Sequence, residues 1–204
     1  LSTYKDNHAR TEAALINQEG TILMLNGNIE GAIQKFQKAL SDVLLHQNKF
    51  QQDAQIYRLN IADGYTQLGN QAFEKQDYEA AKQFYESAMR SNSSDEHHQK
   101  NIAKALSAMN NRNAETFYQQ GLEAFERGDN ETAANLFGKA FELSASGYVN
   151  RQQFKDSRDH ANAKVLSQEG EKLFADQKYT EALEKFQKAK DTSPEEFKAS
   201  FKRN

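Results

Sequence analysis

The histidines are the side chains of this 204-residue chain best suited to acid–base or metal chemistry, and there are five of them. Two are adjacent, in Glu96-His97-His98. Neighbouring residues on a helix point about 100° apart, so these imidazoles do not converge on one ion, and we interpret the segment as solvated surface. No histidine is spaced with a carboxylate and a hydroxyl as in a catalytic site, and cysteine is absent. We therefore predict no enzyme, no metal site and no cofactor.

Four glutamines carry a different kind of chemistry, because a side-chain amide both donates and accepts hydrogen bonds. A row of amides binds the backbone of an extended peptide without reading its sequence. The glutamines recur at one place in a repeated pattern and are Gln18, Gln67, Gln119 and Gln168. The alternative is that glutamine, a good helix former, is repeated by duplication and surrounded by solvent.

The repeated pattern is alanine, glutamine five residues later, glycine two later, alanine twelve later, an aromatic four later and alanine three later. It occurs over residues 13–39, 62–88, 114–140 and 163–189. On a helix the last three positions share one face, where alanine permits close approach and the aromatic fills the space between two helices. Glycine inside a helix costs roughly 0.5–1 kcal/mol relative to alanine, so its recurrence predicts a point where two helices cross.

Counting the first alanine as position 1, the small, small, aromatic and small residues at 8, 20, 24 and 27 resemble the tetratricopeptide repeat. The resemblance implies an all-α, right-handed superhelical solenoid of antiparallel helix pairs. The period departs from the family, whose unit is about 34 residues, since the glycines here are spaced by 49, 52 and 49 residues. Position 7, often leucine in the family, holds Glu19, Leu68, Gln120 and Glu169.

The surplus residues of each unit precede the core motif and contain no proline, because the only proline is Pro194. We therefore expect extended first helices, with Asp95 or Ser146 as helix caps. Their predicted spans are about 47–75, 95–127 and 148–176.

The predicted organisation is a single repeat domain over 1–204. Its four repeats are predicted at about 1–44, 45–92, 93–145 and 146–193. Ser193-Pro194-Glu195-Glu196 has the sequence of a helix start and predicts a capping helix at about 194–203. The first repeat shows no comparable cap, so we expect the array to continue upstream in a larger protein.

In the tetratricopeptide family, the glutamine position faces the inner, concave surface. The resemblance therefore implies a partner-binding groove lined by the four glutamines, with Asn70, Tyr118 and Lys164 at neighbouring positions. Family domains that bind the C-terminal carboxylate of chaperones use Lys, Arg and Asn at set places. Those places hold Asn17, Thr21, Gln67, Glu115 and Gln119 in this chain. Because the basic residues are missing, the chaperone carboxylate is not a predicted ligand.

We expect a non-catalytic protein–protein interaction scaffold that binds a partner peptide or helix in its concave groove. The alternative is a structural or self-assembling helical repeat segment, a spacer or homo-oligomerisation module of a larger protein. The formal net charge of −3, with both signs interspersed, argues against nucleic acid. No apolar run is long enough for membrane insertion. The lack of cysteine fits a reducing compartment, so we expect a cytoplasmic protein.

Overall fold

The computed structural model describes residues 2–46 and 49–195, and over these residues the chain is all-α, without a strand. The helices are α1 (Ser2–Leu25), α2 (Ile29–Leu44), α3 (Gln51–Glu74), α4 (Tyr78–Ser91), α5 (Glu96–Glu126), α6 (Asn130–Leu143), α7 (Arg151–Ala175) and α8 (Tyr179–Thr192). They pack in consecutive pairs: α1 with α2, α3 with α4, and α7 with α8. The end of α5 packs on α6 through Gly121 and Phe137. The helical-repeat fold expected from the sequence is confirmed.

The chain divides into two compact units, Leu1–Leu106 (unit 1) and Ser107–Asn204 (unit 2). Each unit has its own buried core, centred on Phe36 and Tyr57 in unit 1 and on Phe137 and Phe154 in unit 2. The single domain over 1–204, with its four repeat boundaries, stays a prediction. From residue 196 onward, the predicted capping helix lies outside the described residues.

The extended first helices are confirmed, since α3, α5 and α7 contain 24, 31 and 25 residues. Asp95 caps α5 as expected, because its Oδ1 accepts a hydrogen bond from the backbone N–H of His97 at 2.9 Å. The prediction of Ser146 as the cap of α7 is wrong, because α7 begins at Arg151. The Arg151 guanidinium donates to the carbonyl oxygens of Phe141 and Ser144, which ties the intervening residues into a turn.

The glycine of each repeat lies directly against the aromatic residue of the following helix. A Cβ built on Gly20, Gly69, Gly121 or Gly170 would lie 2.7, 2.5, 2.6 or 2.8 Å from Cε1 of Phe36, Tyr85, Phe137 or Phe186, respectively. Real Cβ atoms essentially never approach another atom so closely, so alanine would not fit without a shift. The alanines at positions 20 and 27 are at most 1% exposed in every repeat. The predicted crossing of two helices at the glycine is therefore confirmed.

The turn inside each pair has one geometry, in which a single residue ends the first helix and begins the second. In the first pair, Asn28 N–H donates to the Leu23 carbonyl at 2.9 Å, and the Asn28 side chain caps α2 through Gly31 N–H. Asp77 and Asp129 cap α4 and α6 in the same way. Lys178 occupies this place in the fourth pair and makes no side-chain cap.

The residue before the cap has a positive φ in every pair, which is the left-handed conformation that favours glycine. Gly27 and Gly128 adopt it at 81° and 80°. Gln76 and Gln177 adopt it at 61°, where a side chain is disfavoured.

The departures at position 7 have a structural explanation. Glu19 and Glu169 each form an ion pair with the lysine at position 23 of the same repeat, which is Lys35 or Lys185. The distance from the lysine Nζ to the glutamate Oε2 is 2.6 Å in both pairs. In the second repeat, these two positions hold Leu68 and Phe84. Position 7 therefore matches its partner across the helix pair in these three repeats, whereas in the third repeat Gln120 stands at position 7 and Leu136 at position 23.

Candidate functional site

Contacts between neighbouring first helices determine which side chains meet on the predicted binding face. In unit 1, α1 and α3 run parallel, because residues 43 apart in sequence are paired along both helices. The pairs are Arg10 Nε–Asp53 Oδ2 at 2.7 Å, Asn60 Nδ2–Asn17 Oδ1 at 2.8 Å and Gln67 Nε2–Met24 Sδ at 3.5 Å. Three polar contacts thus follow the junction along its length, beside an apolar core that includes Ala13 of α1 and Tyr57 of α3.

In unit 2 the junction between α5 and α7 is aromatic. The Tyr118 ring lies 4.9 Å from the Phe154 ring and 5.3 Å from the Phe137 ring. The Phe125 ring lies 5.4 Å from the His160 imidazole. The Tyr118 hydroxyl accepts a hydrogen bond from Gln153 Nε2 at 2.9 Å. Residues about 35 apart are paired here, so α7 is placed differently against α5 than α3 is against α1.

The α5–α7 junction surrounds an open cleft of about 450 Å³, a size within the range of about 300–1,000 Å³ that is typical of ligand sites. Its apolar surface comes from Tyr118, Leu122 and Phe125 of α5 and from Phe137 of α6. The α5 residues stand at positions 5, 9 and 12 of the third repeat. The extension of α7 supplies the polar edge, which consists of Gln153, Asp156, Ser157 and His160.

The polar edge is uncharged at His160 and negative at Asp156. Burial of the imidazole, together with the positive charge of Lys164, lowers the pKa of His160 below its ordinary 6.5. At pH 7 His160 is therefore neutral, with one donor and one acceptor nitrogen. The cleft combines aromatic surface with a few directed polar groups, which is the usual composition of a recognition site.

The four predicted glutamines occupy different environments. Gln18, Gln119 and Gln168 are exposed on α1, α5 and α7. Gln67 is half-buried, and its Nε2 also donates to Asp63 Oδ2 at 3.0 Å. Both donor hydrogens of Gln67 are thus engaged, while its carbonyl oxygen has no contact of this kind among the described residues.

The glutamines of neighbouring repeats are not at the same height along the helices. In unit 1 Gln67 contacts Met24, six residues beyond Gln18, which is a displacement of about 9 Å. In unit 2 the Tyr118–Gln153 bond places Gln168 about 21 Å beyond Gln119 along the helix direction. Any row of amides within a unit is therefore stepped.

The other predicted site residues divide between the surface and the interior. Asn70 is exposed, and its Oδ1 accepts a hydrogen bond from the Tyr85 hydroxyl at 2.9 Å. Lys164 is half-buried near His160. Tyr118 is only 7% exposed and forms the inner wall of the cleft. Of the seven predicted residues, Tyr118 is the one that lines this cleft.

Sequence reasoning missed the polar edge of the cleft, which belongs to the surplus residues of the fourth repeat. A signal for it was present, because Gln153, Ser157 and His160 recur at helical spacing on one face. The repeat pattern begins only at Ala163 and gave no reason to examine that face.

The interpretation of Glu96-His97-His98 as solvated surface is wrong for His98, which is 4% exposed. Both rings lie beside Asp95, whose Oδ2 is 3.8 Å from His98 Nε2. His98 turns towards α3 and lines a recess with Leu59 and Ala62, whereas His97 Nδ1 lies 2.8 Å from Asp95 Oδ1 in solvent. The backbone N–H and side chain of His97 hold the pKa of Asp95 below its ordinary range. Among the described residues, no three His, Asp or Glu side chains are grouped as a metal site.

No helix in the described part of the chain is both long enough and apolar enough to span a bilayer. In a comparison with protein families, residues 62–95 match the tetratricopeptide repeat. This segment runs from Ala62 on α3 to the Asp95 cap of α5 and includes all of α4. No curated protein matches the chain.

Proposed function

We propose that this chain, which resembles the tetratricopeptide repeat over residues 62–95, is a non-catalytic scaffold that binds a segment of a protein partner on its first helices. The tetratricopeptide fold is typical of protein–protein interaction. The observation that carries the proposal is the aromatic cleft between α5 and α7. The partner contributes an apolar or aromatic side chain that is buried against Leu122, Phe125 and Tyr118. Burying such a side chain stabilises the complex by about 1.5–3 kcal/mol before ordering costs.

The polar edge of the cleft orients the partner backbone. Gln153 and neutral His160 offer donors, and Asp156 accepts from backbone N–H groups or from a positively charged neighbour of the anchoring residue. Outside the cleft, exposed Gln119 and Gln168 extend the contact. An extended peptide rises about 3.3 Å per residue, so the step of about 21 Å between them corresponds to about six residues of partner.

The acidic residue Glu115 supports the exclusion of the chaperone carboxylate as a ligand. Its Oε1 accepts hydrogen bonds from the Tyr148 hydroxyl at 2.7 Å and from Asn150 Nδ2 at 2.6 Å. A carboxylate held in this way repels another carboxylate at a place where the carboxylate-binding domains use a cation.

The experiment selects peptides from a displayed random library against the immobilised full chain. Dissociation constants of the selected peptides are then measured by fluorescence anisotropy. Leu122→Glu places a charge in the apolar part of the cleft and is expected to weaken binding by at least tenfold, about 1.4 kcal/mol. Gln71→Glu, an equal change of charge on the exposed surface of α3, is the matched control and leaves the affinity unchanged.

Peptides that share an apolar anchor and lose affinity for the Leu122→Glu protein support the proposal. Peptides that bind this variant as tightly as the unaltered chain, with both proteins equally helical, would show that the cleft is not the site. The double variant Gln119→Ala/Gln168→Ala tests the glutamines separately. Unchanged affinity there would remove the amides from the proposal but leave the cleft in place.

A further inference from the structure

The last helix pair exposes an apolar face, here called the tail face, formed by Phe174, Tyr179 and Leu183. These side chains are 59%, 58% and 69% exposed. They stand at positions 12, 17 and 21 of the fourth repeat. The residues at the same positions of the first repeat are Met24, Ile29 and Ile33. Ile29 and Ile33 are each only 5% exposed, because α3 covers them in unit 1. The tail face is thus the surface on which a following first helix packs.

The first helix exposes the complementary surface, here called the head face, formed by Tyr4, Leu15 and Ile22. These residues are 76%, 56% and 52% exposed, and their spacings of eleven and seven residues correspond to about three and two helical turns. They therefore form one stripe along α1.

Equivalent residues on later first helices show what the head face is built to contact. Phe154 stands at the same place in its repeat as Tyr4, nine residues before the first alanine, and is fully buried against Tyr118. Gly64 stands at the same position as Leu15, and a Cβ on it would lie 2.6 Å from Ile33 Cγ1 and 3.3 Å from Met24 Cε. A first helix therefore uses these positions to contact the helix pair that precedes it.

From this equivalence we propose that two copies of the chain associate head to tail, with the head face of one copy docked on the tail face of another. Leu15 of one copy then packs against Phe174 and Leu183 of its neighbour, as Gly64 packs against Met24 and Ile33 within the chain. Leucine is larger than glycine, so the helices stay further apart than inside unit 1 and the association is reversible. Each added copy leaves one head and one tail face open, so this heterologous contact continues beyond a dimer.

The test measures weight-average mass by light scattering and sedimentation over a wide range of concentrations of the full chain. The unaltered protein is expected to start at its 23.2 kDa chain mass and rise with concentration. Leu15→Glu removes the head contact and Leu183→Glu removes the tail contact, and each variant alone is expected to stay at the chain mass. Ile56→Glu, which charges an exposed apolar residue outside both faces, is the control and associates as the unaltered protein does.

A mixture of the two variants gives the sharpest result. Leu15→Glu keeps its tail face and Leu183→Glu keeps its head face, so together they form one-to-one pairs. These pairs do not grow further, because the remaining faces would bring two glutamates together. A mass that stays constant for the unaltered chain would overturn the proposal. Association that survives in both single variants would also overturn it and place the contact elsewhere. Neither variant alters the cleft, so peptide binding is tested independently.

Discussion

The junctions α1–α3 and α5–α7 differ although both join helix pairs with the same internal geometry. Nine residues before the first alanine of its repeat, α3 has Asp53 and α7 has Phe154. Asp53 forms an exposed ion pair with Arg10, whereas Phe154 is fully buried against Tyr118. At this position unit 1 therefore has a polar pair, whereas unit 2 has a buried aromatic residue beside a cleft.

The difference shows that the repeated residues determine how a pair forms but not how pairs adjoin. Gly69 and Gly121 contact Tyr85 and Phe137 in the same way. Part of each junction comes from the surplus segment of the following first helix, where the repeats have diverged: Asp53 and Asn60 of α3, and Phe154 and His160 of α7. Recognition can therefore change from one junction to the next without disturbing the pairs.

Truncating the residue nine places before the first alanine of the fourth repeat is expected to change the stability of the chain most. Phe154→Ala empties the core of unit 2 and should lower the free energy of unfolding by about 3–5 kcal/mol. Asp53→Ala breaks a solvent-exposed ion pair, and such pairs contribute little, so the change should be far smaller. Denaturant unfolding followed by circular dichroism measures both, and hydrogen exchange assigns the loss to α5–α7. Equal losses for the two variants would contradict the proposed difference between the junctions.

Substitution of the repeated glycine should instead affect the two units alike. Gly69→Ala and Gly121→Ala place a Cβ within 2.5 and 2.6 Å of Tyr85 and Phe137, and overpacking of this kind costs about 1–3 kcal/mol. Gly138 of α6 is the control, because a Cβ there would meet only Arg158 Cδ at 3.7 Å. Gly138→Ala should stabilise the chain by up to about 1 kcal/mol through helix propensity. A stabilising Gly69→Ala or Gly121→Ala would disprove the close approach at the helix crossing.

The fourth pair offers a stabilising change. Lys178→Asp supplies the cap that Asp77 and Asp129 provide to α4 and α6, and should add about 0.5–2 kcal/mol. Lys178→Ala, which removes the lysine without adding a cap, should give no such gain. The midpoint of urea unfolding compares the two variants, and equal midpoints would argue against a missing cap at α8.

The smallest predicted effect is a dependence of stability on pH that arises from His160 at the α5–α7 junction. The folded pKa of His160 lies below its ordinary 6.5, so the unfolded chain binds more protons as the pH falls through 6.5 and stability decreases. Leu59, which occupies the same repeat position in α3, does not titrate. The carboxylates with lowered pKa values, such as Asp129, lose their contribution only below their ordinary 3.8 and stay outside this range.

His160→Gln is expected to flatten the stability profile between pH 7.5 and pH 5 relative to the unaltered chain. Thermal unfolding at several pH values gives the comparison. If both proteins lose stability equally over this range, the imidazole is not the group responsible.

The helix pairs were predictable because their residues lie close together in sequence and repeat. Glycine, alanine and the aromatic residue identified the crossing, and the lack of proline identified the extended first helices. The junctions were not predictable, because they depend on which diverged side chains meet across 33 to 43 residues of sequence. The prediction for His98 failed for the same reason, since α3 buries this residue. The prediction for Ser146 failed for a local reason, because Arg151 binds carbonyl groups seven and ten residues earlier and so determines the turn after α6.

The candidate site was predicted in part. Tyr118 was expected on a binding face and lines the cleft, but its burial between Phe137 and Phe154 depends on the placement of α7. The glutamines were chosen because they repeat. Repetition alone does not indicate that the Nε2 group of Gln67 donates its hydrogen bonds to Met24 and Asp63. The partner-binding role of all seven residues stays a prediction.

The separation between each glycine and its aromatic partner has a consequence for the order of folding. The two residues are 16 apart in every pair, and the same cap residue joins the helices that carry them. Contacts between residues so close in sequence form quickly. Contacts across a junction form more slowly, because a longer segment of chain must be ordered first. We therefore expect each pair to form as a kinetic unit, and the cleft between α5 and α7 to be among the last features to assemble in unit 2.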